Sequence, residues 1–284
     1  RIGRKGAGEV RIAYLGYDVL ISCLQALEES GCSVMKVFSF PTDDEFEFSR
    51  RVEDFARERN LPFTREAITL DEIHQLKEEG CEAIFCAGYP YRVPVDPTLP
   101  IVNAPPSLLP VGRGGWPMPV TILRGLRESG VTLHKMEAGF DTGDILLQEA
   151  FPVGPGDTLE TMTGQLRIIG ARLCREMVAD FSRLWAAGQP QGEGEYWPCP
   201  QKSDYTILET TPPQETERIL RAFFGFDCYL KTKEAEYRIV RGLFRPERHT
   251  LPFGTVRTQK DGRRIYAVQG GVIEIEANRE RVGA

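Results

Sequence analysis

The sequence is short of the features on which much catalytic and membrane machinery rests. It holds three histidines in 284 residues, His74, His134 and His249, and none has the neighbour spacing of a metal-ligand set. Its seven cysteines are an odd count without a CxxC pair. Most fall inside apolar or helical patterns, which excludes a disulfide framework or zinc ribbon and fits a reduced, cytoplasmic protein. No stretch approaches the ~18 apolar residues of a membrane span. No apolar h-region follows the basic "RIGRKGAGE" start, so residues 1–9 are set aside as a tail. Net charge is −6 and no Lys/Arg block exceeds two residues, which opposes a nucleic-acid partner. Gly16 is followed by Tyr17 and Asp18, so the dinucleotide fingerprint is missing; P-loop, GxSxG and HExxH motifs are missing too.

What is present is an alternation of strands and helices. "VRIAYLG" (10–16) is a short apolar run, followed by a helical "DVLISCLQALEESG". "SVMKVFSF" (33–40), "EAIFCAG" (82–88) and "LPIVNA" (99–104) read as further strands. Helical "FEFSRRVEDFARERN" and "LDEIHQLKEEG" lie between the second and third of these four strands. This order predicts a mostly parallel α/β sheet, Rossmann-like, extended by "GVTLHKME" (130–137) and "DILLQEAFPV" (144–153). From 158 to 187, Leu159, Met162, Leu166, Ile169, Leu173, Met177, Phe181 and Leu184 recur in steps of three and four. That spacing predicts one long amphipathic helix on the sheet. The boundaries follow: an α/β domain over 10–187, a Gly/Pro/Gln-rich linker over 188–204, and a C-terminal domain over 205–284. Short strands separated by "PFG", "KDG" and "QGG" turns predict an OB-like β-barrel there.

In open α/β sheets ligands bind at the carboxyl ends of the strands. Three turn-rich loops are expected at such ends: "GYPYRVP" (88–94), "NAPPSLLP" (103–110) and "EAGFDTGD" (137–144). Taken singly, Asn103 before Ala-Pro-Pro and the "DTG" at 141–143 are ordinary turn chemistry. Together, with a βαβ pattern between them, they form a more specific signal.

At this point the chain resembles the formyltransferase family that uses 10-formyltetrahydrofolate. That family's pattern runs Asn-x-His-x-Ser-Leu-Leu-Pro, then Arg-Gly, a Gly-Val-Thr strand and Leu-Asp-Thr-Gly-Asp. Here the text is "NAPPSLLPVGRGGWP", then "GVTLHKMEAGFDTGD". The resemblance implies a folate pocket lined by Gly88, Tyr89, Tyr91, Arg92 and Val93 on one loop, and by Gly139, Phe140, Asp141 and Asp144 on the other. Ser107, Arg113 and Gly114 fall on the family's substrate-binding stretch. Asn103 would donate to the oxyanion formed when an amine attacks the formyl carbon. Asp141 would orient a water or carry the amine proton.

One departure is sharp. Where the family has histidine two residues after the asparagine, this chain has Pro105, with no side-chain donor and no backbone N–H. His134, seven residues before Asp141, is the candidate to replace it; a structural histidine at a strand end is the alternative. A second departure concerns the acceptor. Members that formylate initiator tRNA carry a basic loop after the second strand, whereas this one is acidic at Asp43, Asp44, Glu45 and Glu47, which should repel phosphate. The expectation is transfer to a small amine, an amino sugar or an amino-acid-type acceptor, without a metal. The alternatives are methionyl-tRNA formyltransferase, a 10-formyltetrahydrofolate hydrolase, and a silent folate-binding homologue. A homodimer is left open.

Overall fold

The computed structural model describes residues 10–42, 49–260 and 262–275. The acidic positions Asp43, Asp44, Glu45 and Glu47 lie outside them. The first strand, β1 (Val10–Gly16), buries its run from Ile12 to Leu15 completely, as a strand covered on both faces must. A 3₁₀ turn over Asp18–Leu20 leads into α1 (Ile21–Glu29), and β2 (Cys32–Phe38) follows. The Asp18 carboxylate accepts from the N–H groups of Arg51 (2.9 Å) and Val52 (3.0 Å). It thereby satisfies two donors that the first turn of α2 (Arg50–Glu58) would otherwise leave open. After β3 (Phe63–Thr64), Thr69 and Glu72 close a capping box on α3 (Leu70–Glu78). Such a cap contributes about 1 kcal/mol.

Strands β4 (Ala83–Ala87) and β5 (Ile101–Asn103) come next, then β6 (Val111–Arg113) and α4 (Pro117–Leu123). Strands β7 (Glu128–Lys135) and β8 (Ile145–Pro152) complete a seven-stranded sheet in the order β3-β2-β1-β4-β5-β7-β8. The pairings from β3 through β5 are parallel. The β5–β7 pairing is antiparallel, with Asn103 opposite His134. The sheet is mostly parallel as expected, but the placement of "EAGFDTGD" differs: it leaves an antiparallel strand, not a parallel strand's carboxyl end, and reaches Asn103 by folding back. A strand buried on both faces reads as one apolar run in either direction, so the pattern could not report its sense.

The helix expected over 158–187 is two. α5 (Leu159–Ala179) ends before Asp180, which adopts φ −146°, ψ 49°, and α6 (Phe181–Ala186) restarts. The apolar spacing runs through the break, since Phe181 and Leu184 are buried like Leu173 and Met177. Asp competes with the helix for its backbone groups. Residues 188–197, inside the stretch read as a linker, carry β9 (Glu195–Tyr196), which pairs in parallel with β6.

The described residues form two compact units. One comprises 10–42, 49–115, 129–151 and 163–197; the other takes 116–128, 152–162 and 198 onward. In the second, β10 (Thr206–Ile207), α7 (Pro213–Ala222), β11 (Cys228–Lys231) and β12 (Glu236–Ile239) supply a three-stranded sheet and its helix. Strands β13 (Gly242–Pro246), β14 (Val256–Thr258), β15 (Arg264–Val268) and β16 (Gly271–Ile275) form an antiparallel sheet in the order β13-β16-β15-β14. Its buried Glu274 is paired with Arg245 and Arg263. Among the described residues no helix is long and apolar enough to cross a membrane.

Candidate active site

Three residues far apart in the sequence meet at the end of β5. Asn103 is the last residue of that strand, and the β5–β7 register sets His134 directly beside it. Asp141 arrives from the loop after β7. The Asn103 Nδ2 lies 3.1 Å from His134 Nε2 and 3.0 Å from Asp141 Oδ1, and those two atoms are 3.3 Å apart. The triangle is nearly equilateral. The two acceptors subtend a narrower angle at Nδ2 than the two amide hydrogens do, so both lie on one side of the Asn103 amide. Asn103 is half-buried, whereas Asp141 is 7% and His134 1% exposed. Asparagine is thus the member that an incoming molecule meets first.

The tautomer of His134 follows from its other nitrogen. Nδ1 is 2.6 Å from the Lys135 carbonyl oxygen, which can only accept. Nδ1 therefore carries the hydrogen, and in the neutral ring Nε2 is an acceptor facing Asn103 and Asp141. With the neutral ring, Nε2 and Oδ1 are two acceptors 3.3 Å apart, a span that a shared proton can bridge.

Asp141 is held firmly and at some backbone cost. Its φ is +52°, in the left-handed region that non-glycine residues seldom occupy. Its second carboxylate oxygen accepts from the Gly114 N–H at 3.1 Å. Gly114 itself has φ +143°, and a Cβ there would collide with the Trp197 carbonyl oxygen. Gly143 is equally constrained, since a Cβ there would strike the Lys135 carbonyl oxygen. Asp144 closes the loop by pairing with Lys135 at 2.8 Å.

Pro105 is buried, and its carbonyl accepts from Thr132 N (3.2 Å), continuing the β5–β7 ladder past Asn103. The following residues are tied to the same strands: Thr132 Oγ1 donates to Ser107 O (2.7 Å), and Gln148 Nε2 donates to Leu109 O (2.8 Å). Ser107 is 3% exposed and its hydroxyl has no hydrogen-bond partner. Arg113 points to Gln191, donating from two guanidinium nitrogens at 3.2 and 2.9 Å.

On the 88–93 loop, Gly88 has φ +76° and a Cβ there would strike the Tyr17 ring. The Tyr89 hydroxyl donates to Glu66 O (3.1 Å) and accepts from Ile68 N (3.0 Å), and its ring meets Tyr91 edge-on at 5.3 Å. Arg92 is exposed, while Val93 turns into the core beside Ile84 and Ile101. Burial pushes the Tyr89 hydroxyl up to about 12, so it is no acid near neutrality. Cys86, opposite Asn103 on β4, is also pushed up to about 12, by burial first and the Asp141 charge in addition. It is therefore no nucleophile. Phe140 is 58% exposed and edge-on to Tyr196 at 6.0 Å. Gly139 is exposed as well. Among the described residues no cluster of side chains suits a metal ion.

Gln191 escaped the sequence reading although it touches this site. It sits in a Gly/Pro/Gln-rich stretch without periodicity, which reads as a connection and carries no signal of contact with Asp141.

The site thus sets asparagine, histidine and aspartate together at one strand end of an α/β sheet. Residues 21–178, more than half of the chain, match the family described as "Formyl transferase", and the chain belongs to that family. A methionyl-tRNA formyltransferase of Koribacter versatilis is 37% identical over 181 residues, 61% of this chain and 58% of that protein. Another, of Bartonella henselae, is 28% identical over 280 residues, 92% of this chain and 90% of that protein. Among solved structures, HypX from Aquifex aeolicus aligns at TM-score 0.71 and 17% identity, covering 94% of this chain and 44% of its own. The N-formyltransferase from Helicobacter canadensis, in complex with folinic acid and dTDP-3-aminofucose, aligns at TM-score 0.65 and 19% identity, covering 95% and 99%. The chain thus spans less than two thirds of the first of each pair and nearly all of the second.

Proposed function

We propose that the protein transfers a formyl group from 10-formyltetrahydrofolate to a small amine, an amino sugar before an amino-acid-type acceptor. The observation that carries this reading is the Asn103–His134–Asp141 triangle, with the amide donor at its half-buried corner and two proton-accepting atoms beside it. The folate donor supplies a formyl carbon on a nitrogen that can leave. The residues present suit it: the half-buried Asn103 amide can turn a hydrogen to a carbonyl oxygen, and the edge-to-face pair Tyr89 and Tyr91 offers aromatic surface. As the amine attacks, negative charge develops on the formyl oxygen and Asn103 donates to it. The amine proton moves to Asp141 Oδ1 and is shared with His134 Nε2, then passes to the leaving nitrogen as its bond to carbon breaks. His134 acts here from behind Asp141, and so replaces the family histidine in proton handling but not as a donor to the oxyanion. Pro105 contributes shape alone. We read the C-terminal sheets as an OB-type module serving subunit contact.

A second reading, transfer to initiator Met-tRNA, is favoured by the match to the Bartonella enzyme along nearly the whole chain. The acidic stretch at 43–47 and the net charge of −6 oppose it.

Calorimetry with a stable folate analogue tests the donor assignment. Wild type should bind, and Gly143→Ala should weaken binding at least ~10-fold, about 1.4 kcal/mol, because the added methyl displaces the Asp141 loop. Binding that ignores this change would place the folate elsewhere.

A further inference from the structure

Gln191 makes more contacts with the Asp141 loop than any role as a connector would need. Its Nε2 donates to Asp141 O at 3.0 Å and to Gly143 O at 2.6 Å. Its Oε1 accepts from Arg113 Nε and Nη2, and Arg113 also donates to Gly192 O at 3.2 Å. The amide is therefore read in one orientation only: carbonyls on one side demand the NH₂, and the guanidinium on the other demands the oxygen. Arg113 fixes that orientation.

The location matters because Asp141 holds a left-handed backbone. Such a conformation costs of order 1–3 kcal/mol and persists only where its surroundings over-determine it. The restraints include the Gly114 N–H and the Asn103 amide on the carboxylate, the Lys135–Asp144 pair with its backbone bond, and the two bonds from Gln191. Of these, only Gln191 grips the backbone on both sides of Thr142. Resting on the function proposed above, we propose that Gln191 is a positioning residue for Asp141, locked by Arg113, and that it acts on the chemical step without holding the folate. The family resemblance implies a substrate role for Arg113; its bonds to Gln191 give it this further one.

The comparison uses the full chain with Gln191→Ala and Gln191→Glu. The glutamate keeps the shape and the Arg113 contact but sets an acceptor against two carbonyls. A misplacement of ~1 Å at a reacting group can cost on the order of 10²-fold. Both variants should lower kcat at least ~10-fold, a larger factor than any loss of affinity for a folate analogue through the loosened loop, while the melting temperature is nearly unchanged. Hydrogen exchange gives a readout besides activity: amides of 139–144 should lose protection in both variants, with the sheet unaffected. Wild-type kcat in both variants, or losses in kcat, affinity and melting temperature that run in parallel, would overturn the clip. If wild type itself transfers no formyl group, the proposed function fails; the exchange result then decides alone whether Gln191 holds the loop, and unchanged protection refutes it.

Discussion

Asn103→Ala is expected to cut formyl transfer by at least ~10²-fold, the usual effect of removing an oxyanion donor. The argument is geometric. The Asn103 amide donates toward His134 and Asp141 from a half-buried position, where an incoming carbonyl oxygen can take a hydrogen from it. An amide needs no titration to donate, so the loss should be the same across the working pH range. Asn103→Asp is the informative partner, because it keeps the shape but sets a carboxylate against Asp141 and against the developing charge. It should be at least as damaging as alanine. The affinity for a folate analogue should change little in either variant, since the interaction matters mainly once charge has developed. An unchanged rate in Asn103→Ala would reduce Asn103 to a turn residue.

The second large effect is expected at His134. Its ring lies behind Asp141 with Nδ1 fixed on the Lys135 carbonyl, so Nε2 is the only nitrogen able to share the amine proton. Removing a positioned acid–base group costs ~10²–10⁴-fold, and His134→Ala should fall in that range. Because the ring is 1% exposed, alanine also leaves a cavity that can destabilise the sheet. His134→Gln keeps most of the bulk and a donor for Lys135 O. It should melt near wild type and still lose at least ~10²-fold in rate. Pro105→His, which sets an imidazole on the same face as Asn103 by strand alternation, should recover part of that loss. Losing the fixed φ of proline costs only about 0.4–1 kcal/mol. Robust transfer by His134→Gln would leave Asn103, Asp141 and water to carry the chemistry, with His134 a structural residue.

The family resemblance singled out Asn103 and Asp141, and strand alternation with the count back from Asp141 singled out His134. The structure brings the three together, two from strands and Asp141 from a loop. Direction was another matter. A doubly buried strand carries no sign of its sense, so the antiparallel β7 and the fold-back of the Asp141 loop emerged only in three dimensions. Asp180 interrupted a helix without disturbing its apolar period, because the segment beyond it buries Phe181 and Leu184 on the same spacing. Gln191 was invisible for a third reason: its bonds run to backbone carbonyls some fifty positions away, and such contacts leave no imprint on local composition.

The central claim is transfer of a formyl group to a small amine, and one assay meets it directly. Wild-type protein is supplied with 10-formyltetrahydrofolate, then with no acceptor, a panel of amino sugars and amino acids, or charged initiator tRNA. Donor loss and N-formylated product are followed together. The expected result is donor consumption matched one for one by formylation of a panel amine, with little loss in the absence of acceptor and no formyl-methionyl-tRNA. Formate released without an acceptor, formylation of the tRNA alone, or a donor that binds and is never consumed would each contradict it.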